Sequence, residues 1–250
     1  MLLEKMMERV NSSEEISALW EMTNTTAMKR LGWSDHGPVH FQIVANGALR
    51  IARILAKHKI EFGIVRDYGL TKDHAELVIV LGSIFHDLGM SINRQGHEEF
   101  SLFIAMDIID KVLDFLPVRE RVIVRGEAQH AIINHRDDGK PLTIEAGVVR
   151  VADALDMTAG RARVPFEKGE VNIHSLSESA INQVEILEGE DDAPVVINIY
   201  MNNSAGLFSV DELLKEKLIK SGLEPHLKIK AFVEGDTEKK LISEFVVGKK

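Results

Sequence analysis

From the amino terminus to about Arg163, apolar residues recur every three or four positions, the spacing of amphipathic helices. "SSEE" at residues 12–15 reads as a capping box. Ile16, Leu19, Trp20, Ala27 and Leu31 follow at helical spacing, with Gly32 as a stop. A second helix opens near Pro38, carries His40 at its start, and repeats Phe41, Val44, Ala45, Ala48, Ala52 and Leu55 on one stripe. A third begins around Thr71 and passes through "AELVIVLGSIF", apolar nearly all round, so it is expected at the centre of the others. It delivers His86 and Asp87 at its end, with Gly89 as the stop. Further helical segments cover about 98–115, 119–135 and 143–159, and the last contains "GVVRVADALDM" with Asp153 inside an apolar run.

After Pro165 the period changes. "EVNIHSL", "NQVEIL", "PVVINIYM", "LKIKAFVEG" and "KLISEFVV" alternate or are rich in β-branched residues, and one amphipathic helix, "VDELLKEKLIKSGL", separates the third from the fourth. The pattern predicts a mainly α chain: a helical bundle over residues 1–165, then a small α+β domain with an antiparallel sheet over residues 166–250.

Composition narrows the chemistry. The net charge of −9 disfavours generic binding to nucleic acid or to anionic membranes, and leaves room for a local basic pocket that takes one small phosphorylated molecule. The absence of cysteine restricts any metal to nitrogen and oxygen ligands and fits a reducing cytoplasm. "MLLEKMMERV" carries charges where a signal peptide needs an apolar run, and the longest apolar run, 77–85, is too short to span a bilayer. A cytoplasmic protein without a membrane partner is expected.

Six histidines, His36, His40, His86, His97, His130 and His135, lie in or beside the predicted helices. Imidazole with carboxylate is the ligand set that Mn, Fe, Ni, Co or Zn accepts when thiolate is missing. His40, His86, Asp87 and Asp153 each sit on a helix apolar enough to be central, and a buried carboxylate without a positive partner is strongly disfavoured. One shared cation satisfies all four.

The ordered pattern of His40 in "HFQIVANGAL", His86-Asp87 in "FHDLGM" and Asp153 in "VVRVADALD" resembles the HD superfamily of metal-dependent phosphohydrolases over roughly residues 35–163. The resemblance implies an all-helical domain in which these four residues hold one divalent transition metal, with Asp87 able to bridge to a second. "GHEEFS" at His97 and "AIINHRDDGKP" around His135 look like the extra histidine segments of HD-GYP phosphodiesterases and of HD hydrolases acting on dinucleoside polyphosphates. Here Asn134 stands where HD-GYP proteins have a histidine, the GYP loop is missing, and Met90 replaces the lysine that often follows the doublet.

His135 is the expected ligand for a second ion. His130 lies five residues earlier, about 140° away on an ideal helix, and is left between a contact behind the ligands, near substrate, and a structural role. His97 is a ligand or a phosphate contact, and with Asp87 the first candidate for proton transfer. Arg136, Arg161 and Arg163 either balance phosphoryl charge or interact with helix C-termini. Asp156 shares a face with Asp153, placing it to orient a ligand or pair with Arg150. Lys140 has no P-loop before it, His36 belongs to a pocket or a turn, and His58 and His74, among charged residues, are expected in solvent.

The implied reaction is hydrolysis of a phosphomonoester or phosphodiester, of a nucleotide, by metal-activated water. The alternative is a catalytically weak metal- and nucleotide-binding regulatory protein. The C-terminal domain has no motif that chooses between forming a homodimer, capping the site and binding an effector.

Overall fold

The apolar stripes close on one another around a single central helix. The computed structural model describes residues 1–161, 173–234 and 244–247. Its helical part runs α1 (Leu2–Ser12), α2 (Glu14–Asn24), α3 (Pro38–Lys57), α4 (Gly63–Tyr68), α5 (Lys72–Phe85), α6 (His97–Val112), α7 (Val118–Asn134) and α8 (Ile144–Ala154). Leu77 through Phe85 of α5 are all buried, and the helix packs against α3, α7 and α8. Pro38 is the first residue of α3, and Thr71 and Thr143 are the N-caps of α5 and α8, as their side chains favour. The cap of α2 is Ser13 rather than Ser12, its hydroxyl accepting from the Ile16 amide at 3.3 Å.

Some elements differ from the sequence pattern. α1 lies within the amino-terminal stretch of helical spacing, whereas α4, only six residues long, is an addition to the pattern. α8 stops at Ala154 instead of continuing to residue 159, which frees Asp156 to turn back toward α3. His74 is buried rather than solvated. Its ring bonds Thr71 at 2.8 Å and Glu120 at 3.0 Å, fastening the start of α5.

Beyond the bundle come α9 (Ile173–Ser179), β1 (Ile181–Glu190), β2 (Ala193–Met201), π-helical turns at Ser209–Lys215 leading into α10 (Glu216–Leu218), β3 (Leu227–Val233) and β4 (Glu244–Val247). The described part of "EVNIHSL" is helical, not a strand, and buried Ser177 is tied to the Ser209 amide and hydroxyl at 2.9 and 2.8 Å. Those tertiary bonds outweigh a weak local β preference. The sheet has the order β1-β2-β3-β4. Its outer pairs are antiparallel as expected, but β2 and β3 run parallel, Val195 opposite Leu227 and Met201 opposite Val233, so the sheet is mixed. A parallel pair needs a long crossover, and the helical turns between β2 and β3 supply it.

Val195, Ile197, Ile199, Leu214, Leu218 and Ile229 belong to the same apolar cluster as α5. The core therefore runs from bundle to sheet without interruption, while the expected boundary at residue 165 lies outside the described residues. No helix among the described residues is long and apolar enough to cross a membrane.

One buried carboxylate holds a short helix in place. Glu145, on the first turn of α8, is fully buried and accepts from the amides of Gly63 and Ile64 at 2.9 and 2.8 Å, satisfying the N-terminus of α4. Burial raises its pKa, and the two amides counteract that shift. Glu145→Ala is expected to lower stability by about 2–3 kcal/mol, the scale of hydrogen bonds to a charged group. Urea unfolding followed by circular dichroism measures this; a loss of only a few tenths would show that α4 does not depend on the carboxylate.

Candidate metal centre

The doublet lies where a helix ends. His86 is the last residue in helical conformation after α5, Asp87 leaves the helix, and a 3₁₀ turn, Leu88–Ser91, follows. Ser101 of α6 fixes this end by donating to the His86 carbonyl at 2.6 Å and accepting from the Gly89 amide at 2.8 Å. Gly89 is a glycine because of this contact: an added Cβ would stand 2.7 Å from the Ser101 nitrogen and collide with the His97 carbonyl. The close approach that excludes a side chain also brings His97, at the head of α6, to the doublet.

Five elements then converge. His40 Nε2, from α3, lies 3.2 Å from His86 Nε2 and 3.3 Å from Asp153 Oδ1 of α8. His86 Nε2 stands 3.5 Å from that same oxygen and 3.3 Å from Asp87 Oδ2. The other Asp87 oxygen faces the opposite way, 3.0 Å from His97 Nε2 and 3.7 Å from His135 Nε2, just past the end of α7. Asp87 thus stands between two groups of nitrogens. His40, His86, Asp87, His97 and His135 are all buried, and Asp153 is partly so.

Neighbours set which nitrogen each ring turns inward. His86 Nδ1 donates to the Ser83 carbonyl at 2.8 Å and His135 Nδ1 to the Ile132 carbonyl at 2.6 Å, leaving each Nε2 toward the cluster. His40 Nδ1 lies 2.6 Å from Asp156 Oδ2, and Asp156 also accepts from Arg161 at 2.9 Å. Asp156 therefore orients a histidine, and Arg150 is engaged elsewhere.

Burial opposes charge on His86, but Asp87 and Asp153 overcome it and raise the ring to about 10. His97 is likewise raised to about 9 by Asp87 and Glu98 against the cost of burial. Burial also opposes ionisation of Asp87 and Asp153, yet histidines around both, and Lys217 beside Asp153, hold them well below the usual carboxylate range. Burial and nearby positive groups push His36 and His135 down to about 3.

These donors fit a divalent ion. Ligand atoms held about 2.0–2.2 Å from one ion stand roughly 3–3.7 Å from one another, the spacing found here. Three sets bring their ligand atoms within 4.8 Å of each other: His40, His86 and Asp153; His86, Asp87 and His135; and His97, Glu98 and His135. A cavity of about 230 Å³ opens over them, lined also by Arg94, Arg136, Arg161 and Lys217.

A family model described as the HD domain matches residues 40–158. An uncharacterized protein of Methanocaldococcus jannaschii is 37% identical over 236 residues, which cover 94% of this chain and 90% of the relative. The chain belongs to the HD superfamily of metal-dependent phosphohydrolases. No solved structure gives a significant match.

Within this HD domain the remaining candidates separate. Arg136 and Arg161 line the cavity, the first paired with Glu99 and Asp138 and the second with Asp156. His36 lines it too. His130 is directed away: its Nε2 accepts from the Leu142 amide at 3.0 Å and its Nδ1 meets Asn134, so it shapes the loop after α7. Arg163 lies outside the described residues. Sequence reasoning missed Glu98, Arg94 and Lys217. Lys217 had a legible signal, since it falls three residues after Leu214 and one before Leu218, where the apolar stripe calls for a hydrophobe.

Metal binding here must compete with protons on His86 and His97. Uptake of a divalent ion at pH 7 is expected to release at least about one proton per ion, with affinity rising as pH rises. Calorimetry in two buffers of different ionisation enthalpy counts the protons, and uptake without release would contradict this charge distribution.

Proposed function

We propose that the chain is a phosphohydrolase that cleaves a phosphomonoester or phosphodiester of a nucleotide in the cavity above the histidine cluster. The observation that carries this is the union of two features: facing imidazole nitrogens and carboxylates on the floor, and four cationic side chains set among the carboxylates Glu98, Asp137, Asp156 and Glu178 on the walls. A transition metal held by His40, His86, Asp87 and Asp153, with His135 and His97 beside Asp87 for a second ion, would supply a Lewis acid that activates water and polarises a phosphoryl oxygen.

The protein's own part is positioning and charge. Asp156 and the Ser83 and Ile132 carbonyls keep Nε2 of His40, His86 and His135 directed at the floor. Asp87 faces both groups of nitrogens through its separate oxygens. His97 lines the cavity with Nε2 at 3.0 Å from Asp87, suited to hold or return a proton there. Arg136 and Arg161 oppose the charge that spreads over phosphoryl oxygens.

A nucleotide is favoured by the rim. Arg94 stacks over the Trp33 ring at 4.9 Å, and Trp33 lies 6.4 Å from His36, so a half-exposed aromatic surface adjoins the cationic wall. Such a surface offers a base somewhere to stack.

The test is a hydrolysis screen of the manganese-loaded protein over mononucleotides, cyclic dinucleotides and dinucleoside polyphosphates, with Asp87→Ala beside it. Turnover is expected to vanish with chelator and return with metal. Asp87→Ala is expected to lose at least about 1,000-fold in rate, together with the metal-dependent gain in melting temperature. A variant that keeps the parent's metal content and turnover would refute the mechanism; a parent inert toward all substrates would favour a regulatory role.

A further inference from the structure

Three of the four cations on the cavity wall are arginines, each with contacts of its own. Arg161 holds Asp156 and the Asp35 carbonyl; Arg136 is paired with Glu99 and Asp138; Arg94 lies on Trp33 and against His97. Lys217 is the one ammonium among them. Its ammonium donates to the His135 carbonyl at 2.6 Å and to Asp153 Oδ2 at 2.9 Å, with Asp137 Oδ1 at 3.7 Å, beyond hydrogen-bond distance. Two of its three donor hydrogens are accounted for, and the residue lines the cavity. Asp153 turns its other oxygen to His40 and His86, so the ammonium stands one carboxylate's width from the nitrogen cluster.

The mount for this lysine is built into α8. Arg150, fully buried, donates to the main-chain carbonyls of Lys217 at 2.9 Å and Glu216 at 3.3 Å, and also to those of Asn134, Arg136 and Asp137 at and after the end of α7. One guanidinium thus clamps α10 to the loop that follows His135. Gly147, one turn earlier on α8, lets the crossover come close, because an added Cβ would collide with the Ser221 carbonyl. Leu214 and Leu218 are buried on either side of the lysine.

We propose that Lys217, carried by the crossover of the C-terminal α+β segment, is a substrate-binding residue that completes the HD-domain site by gripping a phosphoryl oxygen. This rests on the phosphohydrolase reading above. A phosphoryl group drawn to the nitrogen cluster falls within the reach of an ammonium placed beside Asp153, and Lys217 has a donor left to meet it. The catalytic cavity is then a composite of both parts of the chain.

The test uses the full-length, manganese-loaded protein and inorganic phosphate as the probe. Calorimetry gives phosphate affinity, elemental analysis gives metal content, and circular dichroism gives folding, for the parent and for Lys217→Gln, which keeps a donor for the His135 carbonyl and removes the charge. Expected are unchanged metal content and helical signal, with phosphate affinity and kcat/KM each reduced by roughly 100-fold. Should Lys217→Gln not fold, Lys217→Met is read by the same measurements. Phosphate affinity within about twofold of the parent at equal metal content overturns the role of Lys217 and leaves the phosphohydrolase reading intact. Loss of the metal along with the lysine also overturns it, since Lys217 would then only support Asp153. A parent that neither binds phosphate nor hydrolyses any phosphoester overturns the phosphohydrolase reading, and the role of Lys217 with it.

Discussion

Two imidazole nitrogens 3.2 Å apart, with two carboxylates against them and little solvent, need positive charge between them. That requirement organises the molecule. Most of the groups that meet there occupy helix ends. His40 is in the first turn of α3, His86 and Asp87 follow α5, His97 opens α6, His135 follows α7 and Asp153 is in the last turn of α8. Each end leaves backbone groups free to hold a ring or a carboxylate, as the Ser83 and Ile132 carbonyls do.

The same interior holds a buried cation, and it is satisfied in a different currency. Arg150 meets carbonyl oxygens rather than carboxylates, five of them at the ends of two segments. A guanidinium with a fixed fork of donors suits this task, because carbonyls at and just past helix C-termini have no helical partners of their own. Around the metal cluster the protein concentrates negative charge that an ion can neutralise; around Arg150 it neutralises a positive charge itself. The first arrangement is a place for a ligand and the second is a joint.

The joint links chain topology to chemistry. Pairing β2 with β3 in parallel obliges the chain to cross over the sheet, and the crossover passes along α8. Had β3 followed β2 through a tight antiparallel hairpin, no segment would carry Lys217 to Asp153. Burial of Leu214 and Leu218 in the common core fixes the rotation of the crossover and turns the lysine toward the cavity.

Much of this was legible in the chain. The all-round apolarity of residues 77–85 specified a central helix, since no other environment satisfies such a surface, and the polar residues attached to apolar stripes, His40, His86, Asp87 and Asp153, are ones the fold brings together. The helices began close to Pro38, Thr71 and Thr143 because capping depends on residues within one turn. Interactions that join distant positions were beyond that reach. The capping of α4 by Glu145, the turning of Asp156 to His40, the diversion of His130 into a loop and the delivery of Lys217 each couple segments separated widely in sequence. The parallel β2–β3 pair was equally hidden, because alternating strands look the same whichever direction a partner runs. Local periodicity determines which face of an element is buried; only the packed tertiary structure decides what that face meets.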